Sequence, residues 1–276
     1  MNRLKVRGHY EHPVSRWSIA AQIDDPWHPG GFFLYRMPET FVVNDQRYIW
    51  QPRGALCWAG VPPEAAPEWS LAEDEAETGY KIRFYDGLEL FAGVTAGDFD
   101  IKFSYRIVNG TDAAIRPSTD SCFMIWNAPH FIDRRHERTF VWAGGTARNV
   151  RKLTPTPEEM QRLSWVRVGV GNPLEDQEPH DHCWPVREAA DHGLICVQSR
   201  DGLRSIGLAW PDANQLMARS SIPCLHSEPV YPSLEPGEGV SAVGKLYFSE
   251  DGISSILNRF LDDIESSSLH VRRFQP

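Results

Sequence analysis

Two short segments of this chain set histidines beside carboxylates at alternating positions. One reads Glu178-Pro179-His180-Asp181-His182-Cys183-Trp184, the other Cys224-Leu225-His226-Ser227-Glu228. On an extended strand, residues i and i+2 point to the same face. His180 and His182 would then reach one ligand together, and so would His226 and Glu228. A neutral imidazole moves protons or ligates a metal near neutral pH. A carboxylate beside it fixes the tautomer and completes an acid–base pair. His180, His182, His226 and Glu228 are therefore the candidate catalytic residues, provided the two segments meet in space. Cys224 is a weaker candidate, because no helix N-terminus or basic neighbour lowers its pKa.

Each segment has a competing reading. Pro173, Pro179 and Pro185 surround the first, which fits a polar surface loop. Pro223 and Pro229 bracket the second, whose stiff backbone is either extended or a loop crossing the top of a sandwich. A metal ion at His180 and His182 is the third alternative. Its remaining ligands would come from Glu188, His192, His226 or Glu228. The spacing from His182 to Glu188 does not match the cupin metal motif, so no metal ligand set is assigned and no cofactor is expected.

Asn127 to Arg138 carries three arginines, two histidines and two carboxylates. His130, Arg134 and Arg138 are candidate substrate-binding residues, since a guanidinium grips oxyanions in a bidentate fork. Pairing with Asp133 and Glu137 is the commoner fate of such arginines. Trp126, Trp142 and Trp184 are candidate stacking faces for a sugar. No nucleophile elbow, phosphate-binding loop or dinucleotide glycine motif is present.

Composition narrows the classes. The net charge of -9 argues against a nucleic-acid partner. Six carboxylates fall between Glu64 and Glu77 without a Lys or Arg, which reads as a solvated loop. Five widely spaced cysteines with no CxxC pair read as buried free thiols in a reducing compartment. The N-terminal residues lack an apolar signal region and no run is long enough to span a membrane, so a cytoplasmic protein without a membrane partner is expected. Asn109-Gly110-Thr111 matches a glycosylation acceptor.

The elements that must position these groups are mostly strands. Lys81 to Tyr85 and Leu88 to Val94 flank an Asp86-Gly87 turn and predict a hairpin. Phe99, Ile101, Phe103, Tyr105 and Ile107 alternate with polar residues and predict a strand buried on one face. Phe32–Tyr35 and Thr40–Val43 read as two strands separated by a Pro. Ser121–Trp126, Thr139–Trp142, Val166–Val170, Gly193–Ser199 and Ser205–Trp210 follow, with Ser241–Phe248 as the last strand. Thr156–Leu163 predicts a short helix. Gly252–Glu265 predicts an amphipathic helix on the sheet edge. About a dozen strands in one domain over residues 1–276 give an all-β fold: a two-sheet antiparallel β-sandwich with a short C-terminal helix.

Tyr105-Arg106-Ile107-Val108-Asn109-Gly110-Thr111 is similar to the strand entering a V-x-N-x-[ST/D] turn in the galactose-mutarotase-like supersandwich group. Leu234-Glu235-Pro236-Gly237-Glu238, followed by Val243 to Phe248, is similar to its closing L-x-P-G-E turn and last strand. The likeness covers roughly a third of the chain. It implies a supersandwich with a carbohydrate-sized cleft lined by His, Glu, Arg and Trp. The family places two histidines and a glutamate on the concave sheet; its His-Pro-Tyr-Phe run is absent here, and Asn127-Ala128-Pro129-His130-Phe131 is loosely similar. The expected function is a carbohydrate-active enzyme using His/Glu acid–base chemistry on a sugar or glycoside, of epimerase (isomerase), lyase or hydrolase type. The alternatives are a non-catalytic carbohydrate-binding or accessory subunit and a His-coordinated metal enzyme. Exposed sheet edges leave room for a homo-oligomer.

Overall fold

The computed structural model describes residues 3–9, 19–50, 57–58, 62–65, 67–71, 75–153, 163–168, 183–185, 188–219 and 222–276. These form two sheets of ten strands. The first sheet runs in the order β1 (Val6–His9), β2 (Ala20–Asp24), β3 (Phe32–Val43), β10 (Pro117–Met124), β18 (Cys224–Pro229), β17 (Ala213–Arg219), β13 (Leu163–Arg167), β14 (Cys183–Pro185). β4 (Gln46–Trp50) pairs with β3, and β5 (Cys57–Trp58) pairs with β4. The second sheet runs β12 (Thr146–Asn149), β11 (Thr139–Ala143), β15 (Leu194–Gln198), β16 (Ser205–Ala209), β19 (Gly239–Ser249), β9 (Asp100–Val108), β8 (Glu89–Ala96), β7 (Glu77–Arg83), β6 (Ser70–Leu71). β20 (His270–Phe274) pairs with β19. Among the described strands, β13 with β14 is the parallel pair.

Side-chain alternation explains the two layers. Ile101, Phe103, Tyr105 and Ile107 of β9 are all buried and meet Phe33, Tyr35, Phe41, Phe123 and Leu225 from the first sheet in one core. Tyr35 packs on Phe103 with ring centroids 4.0 Å apart, and Trp210 donates to the Tyr35 hydroxyl at 3.0 Å. Phe99 breaks the expected alternation. It lies before β9 begins and is exposed.

The β7–β8 hairpin forms as expected. Gly87 takes a positive φ of 94°, and Asp86 Oδ1 accepts from the Leu88 N–H at 3.1 Å. The runs either side of Pro38 instead make one continuous strand, β3. β20 follows β19, so Ser241–Phe248 is not the last strand. Twenty strands rather than a dozen stand among the described residues, because short two- to five-residue pieces carry little periodic signal. The expected helix at 156–163 falls largely outside the described residues, and Leu163 itself begins β13. A four-residue helix, α1 (Val150–Leu153), also forms, too short to carry a periodic signal.

The amphipathic helix is present as α2 (Ile253–Glu265), but it lies on the outer face of the second sheet rather than on its edge. Ile256 and Phe260 pack there against Trp142, Leu194, Cys196, Ala209 and Tyr247. Gly207 of β16 makes room: a Cβ there would come within 2.6 Å of Ile256 and 2.9 Å of the Cys196 sulfur.

The two motifs that carry the family likeness meet in space. Asn109 is wholly buried, and its amide donates to Ala113 O at 2.9 Å and Leu234 O at 3.0 Å. Its backbone exchanges hydrogen bonds with Gly237 and Glu238 of the closing turn. A buried Asn109 side chain cannot serve as a glycosylation acceptor. The acidic stretch is likewise partly built in: Glu75 pairs with Lys5 at 2.6 Å and Arg7 at 3.3 Å. No helix among the described residues is long and apolar enough to cross a membrane.

Candidate functional site

Four neighbouring strands, β3, β10, β18 and β17, carry a polar cluster on the outer face of the first sheet. Pairing sets the register. Met217 faces His226 and Gln215 faces Glu228 across β17 and β18, while Phe123 faces Leu225 across β10 and β18. Since Phe123 and Leu225 point into the core, Asp120, Cys122, Cys224, His226 and Glu228 point the other way. An irregularity in β3 adds Glu39 to this face. Cys122 pairs with Arg36 and Asp120 with Thr40, so β3 takes four residues where β10 takes two.

His226 lies at the centre. Its Nδ1 is 2.7 Å from Asp120 Oδ1 and its Nε2 is 3.3 Å from Cys224 Sγ. Glu228 hydrogen-bonds Asp120 and receives the amide of Gln215. Arg36 grips Glu39. The layering is clear in the exposures: the side chains of His226 and Arg36 are each 6% exposed, those of Asp120 and Glu39 29% and 22%. Asp120 and Glu39 are therefore the groups a ligand would meet first.

The electrostatics divide the carboxyls. Burial raises the Glu228 pKa well above the ordinary carboxylate range, and the charge of Asp120 raises it further. Burial and Asp120 also raise Glu39, against the pull of His226 and Arg36. Asp120 goes the other way: burial opposes its charge, but the His226 imidazolium and its hydrogen bond hold the pKa below the usual value. Burial works against a charged His226, yet the acidic groups of Cys122 and Asp120 hold its pKa well above the ordinary value. A hydrogen bond with Cys224, reinforced by burial, keeps Cys122 a thiol near neutral pH, so Asp120 is the effective counter-ion. The result is an ionised carboxylate flanked by carboxyls that resist ionisation, the arrangement by which one site holds both a base and an acid.

Cys122, Cys224 and His226, and also Glu39, Asp120 and His226, have donor atoms within 4.8 Å of one another. Either set is compact enough for one ion. In both, His226 already has partners within the protein.

Of the residues singled out by sequence, the structure brings His226 and Glu228 together on β18. His180 and His182 lie outside the described residues. Trp184 sits in β14, paired in parallel with Ser164. Trp142 is buried beneath α2 on the far sheet and is not near the cluster. Trp126 is exposed two residues beyond β10. Arg134 is exposed in the loop that follows. Arg138 clamps that loop, donating to Gln198 O at 2.5 Å and Ile132 O at 2.6 Å. His130 stands beside Asp25 instead, 2.9 Å away. Glu188 lies 3.9 Å from Arg148, and His192 packs near Phe260.

Asp120, Arg36, Glu39 and Gln215 were not singled out. The strand expected at Ser121–Trp126 begins too late to include Asp120, which lies within β10. Arg36 and Glu39 flank Pro38, which reads as a break between strands. Polar residues interrupting the apolar run Phe32–Val43 were the available signal.

No family model and no curated protein matches this chain. Some solved structures are weakly similar. A galactose mutarotase-like protein from Clostridium acetobutylicum is 10% identical, with a TM-score of 0.43 over 85% of this chain and 94% of that one. A galactose mutarotase-like protein from Lactobacillus casei ATCC 334 is 11% identical, with a TM-score of 0.42 over 84% and 98%. A galactose mutarotase related enzyme from Lactobacillus acidophilus is 7% identical, with a TM-score of 0.41 over 84% and 95%. The chain is an antiparallel two-sheet sandwich with a weak resemblance to the galactose mutarotase-like proteins.

Proposed function

We propose that this protein acts on a sugar hemiacetal by general acid–base chemistry at the outer face of the first sheet. The observation that carries the reading is the clustering of Asp120, Glu39, Glu228 and His226, with the carboxyl pKa values pushed apart. Interconverting anomers needs a proton taken from the anomeric hydroxyl and one given to the ring oxygen. Those two oxygens share one carbon, so acid and base must stand close together. Donor atoms of Glu39 and Asp120 lie within 4.8 Å of one another, which suits that demand. In this reading Asp120 is the base and Glu39 the acid it meets across the ligand. His226 and Glu228 are positioning residues that hold Asp120 ionised yet hydrogen-bonded.

The test is anomeric exchange, followed by NMR, across a panel of aldoses and aldose phosphates. The native protein should accelerate exchange, and Asp120→Asn should lose about 10²-fold or more. His226→Gln should shift the pH profile as well as the rate. No acceleration on any member of the panel would reject the catalytic assignment. A non-catalytic sugar-binding role is the second reading. It is favoured by one observation, that both His226 nitrogens already face partners inside the protein. Saturation transfer to a sugar without exchange would select it.

A further inference from the structure

A second cluster lies where the turn joining β2 to β3 meets the loop after β10. Asp25 Oδ2 is 2.9 Å from His130 Nε2 and 3.5 Å from His28 Nδ1. The two imidazoles stack with centroids 3.6 Å apart. All three atoms are buried, and none makes a hydrogen bond. The carboxylate oxygen is close to both nitrogens but off the direction of a ring N–H. One unmet buried polar group costs about 1–3 kcal/mol. Three converging on a single point call for something between them.

The surroundings hold these atoms in place. Asp25 Oδ1 accepts from the N–H groups of Trp27 at 2.9 Å and His28 at 3.3 Å, which leaves Oδ2 turned inward. Gly31 permits the approach, since a Cβ there would lie 3.1 Å from Asp25 Cβ and 3.2 Å from Oδ2.

We propose that Asp25, His28 and His130 bind a divalent transition-metal cation of the Zn2+ type, with one coordination position left for water or a ligand group. Two imidazoles and one carboxylate are a donor set that such ions favour. A tetrahedral ion about 2.0–2.1 Å from each donor would space them roughly 3.3 Å apart. The observed separations of 2.9 and 3.5 Å bracket that value. The side chain of His28 is 42% exposed, which gives an ion a way in. The site is independent of the sugar reading: Phe32 and Met124, the strand ends nearest it, stand four residues from Arg36 and Asp120, about 13 Å of extended chain. A bound ion would fasten the β2–β3 turn to the loop that Arg138 clamps.

The test uses full-length protein without a histidine tag, freed of metal by a chelator. It is titrated with Zn2+ by calorimetry and with Co2+ by visible absorption. One equivalent should bind, with an absorption spectrum of tetrahedral Co2+ and a rise in Tm. His28→Ala removes the most exposed ligand, so its folding is easily kept and checked by circular dichroism. It should weaken binding more than about 100-fold, beyond what loss of an outer partner costs. Cys224→Ser alters the thiol cluster and should bind like the native protein. No uptake by the native protein, or native affinity in His28→Ala, would overturn the proposal.

Discussion

At the residue scale, protonation is what distinguishes the cluster on β18. Folding raises the Glu228 pKa, so the folded state keeps a proton that the unfolded chain sheds near its ordinary value of about 4.3. The stability tied to that proton is complete below about 4.3 and is lost as pH rises toward the folded value. His226 adds the same sign of dependence from about 6.5 upward. Asp120, whose pKa is lowered, contributes above about 3.9 and loses that contribution only as pH falls. Native Tm should therefore decline as pH is raised from about 6.5. Glu228→Gln keeps a neutral hydrogen-bonding group and removes one titration, so its decline should be shallower. Equal slopes for the two proteins would show that Glu228 is ionised in the native state. His226 and Glu228 were legible because they alternate between prolines. Asp120 was not, because a lone carboxylate in Pro117-Ser118-Thr119-Asp120 gives no sign of the imidazole that reaches it from β18 across more than a hundred residues.

At the scale of elements, turns do as much as strands. Asn109 makes side-chain hydrogen bonds to Thr111, Ala113 and Leu234, and so fixes the exit of β9 to the entry of β19. Asn109→Ala should cost about 2–3 kcal/mol, seen as a lower urea midpoint with an unchanged slope. A loss under about 0.5 kcal/mol would mean that water replaces the amide. Long strands with strict alternation, such as β9, were readable from sequence. β3 was not, because its irregularity at Met37–Glu39 resembles a break, and that irregularity is what brings Glu39 to the site.

At the scale of the molecule, the two outer faces differ. α2 covers part of the second sheet, whereas the first sheet presents the polar cluster. Phe260→Ala should destabilise by roughly 3–5 kcal/mol through the cavity it leaves, measured by thermal or urea unfolding. The proposed sugar exchange, per folded molecule, should not change. A proportional loss of both would tie α2 to the site. The sandwich and its helix follow from periodicity; the helix position does not, since periodicity identifies an apolar stripe without naming the surface it will meet.

Strand alternation has a consequence for how such a protein can diversify. Tyr35, Phe123, Leu225 and Leu216 fill the core, while Arg36, Asp120, His226 and Gln215 sit on the same four strands and face outward. Folding instructions and the candidate site thus occupy alternate letters of one text. A lineage, or a mutagenesis library, can rewrite the outward letters while the inward ones continue to specify the sandwich.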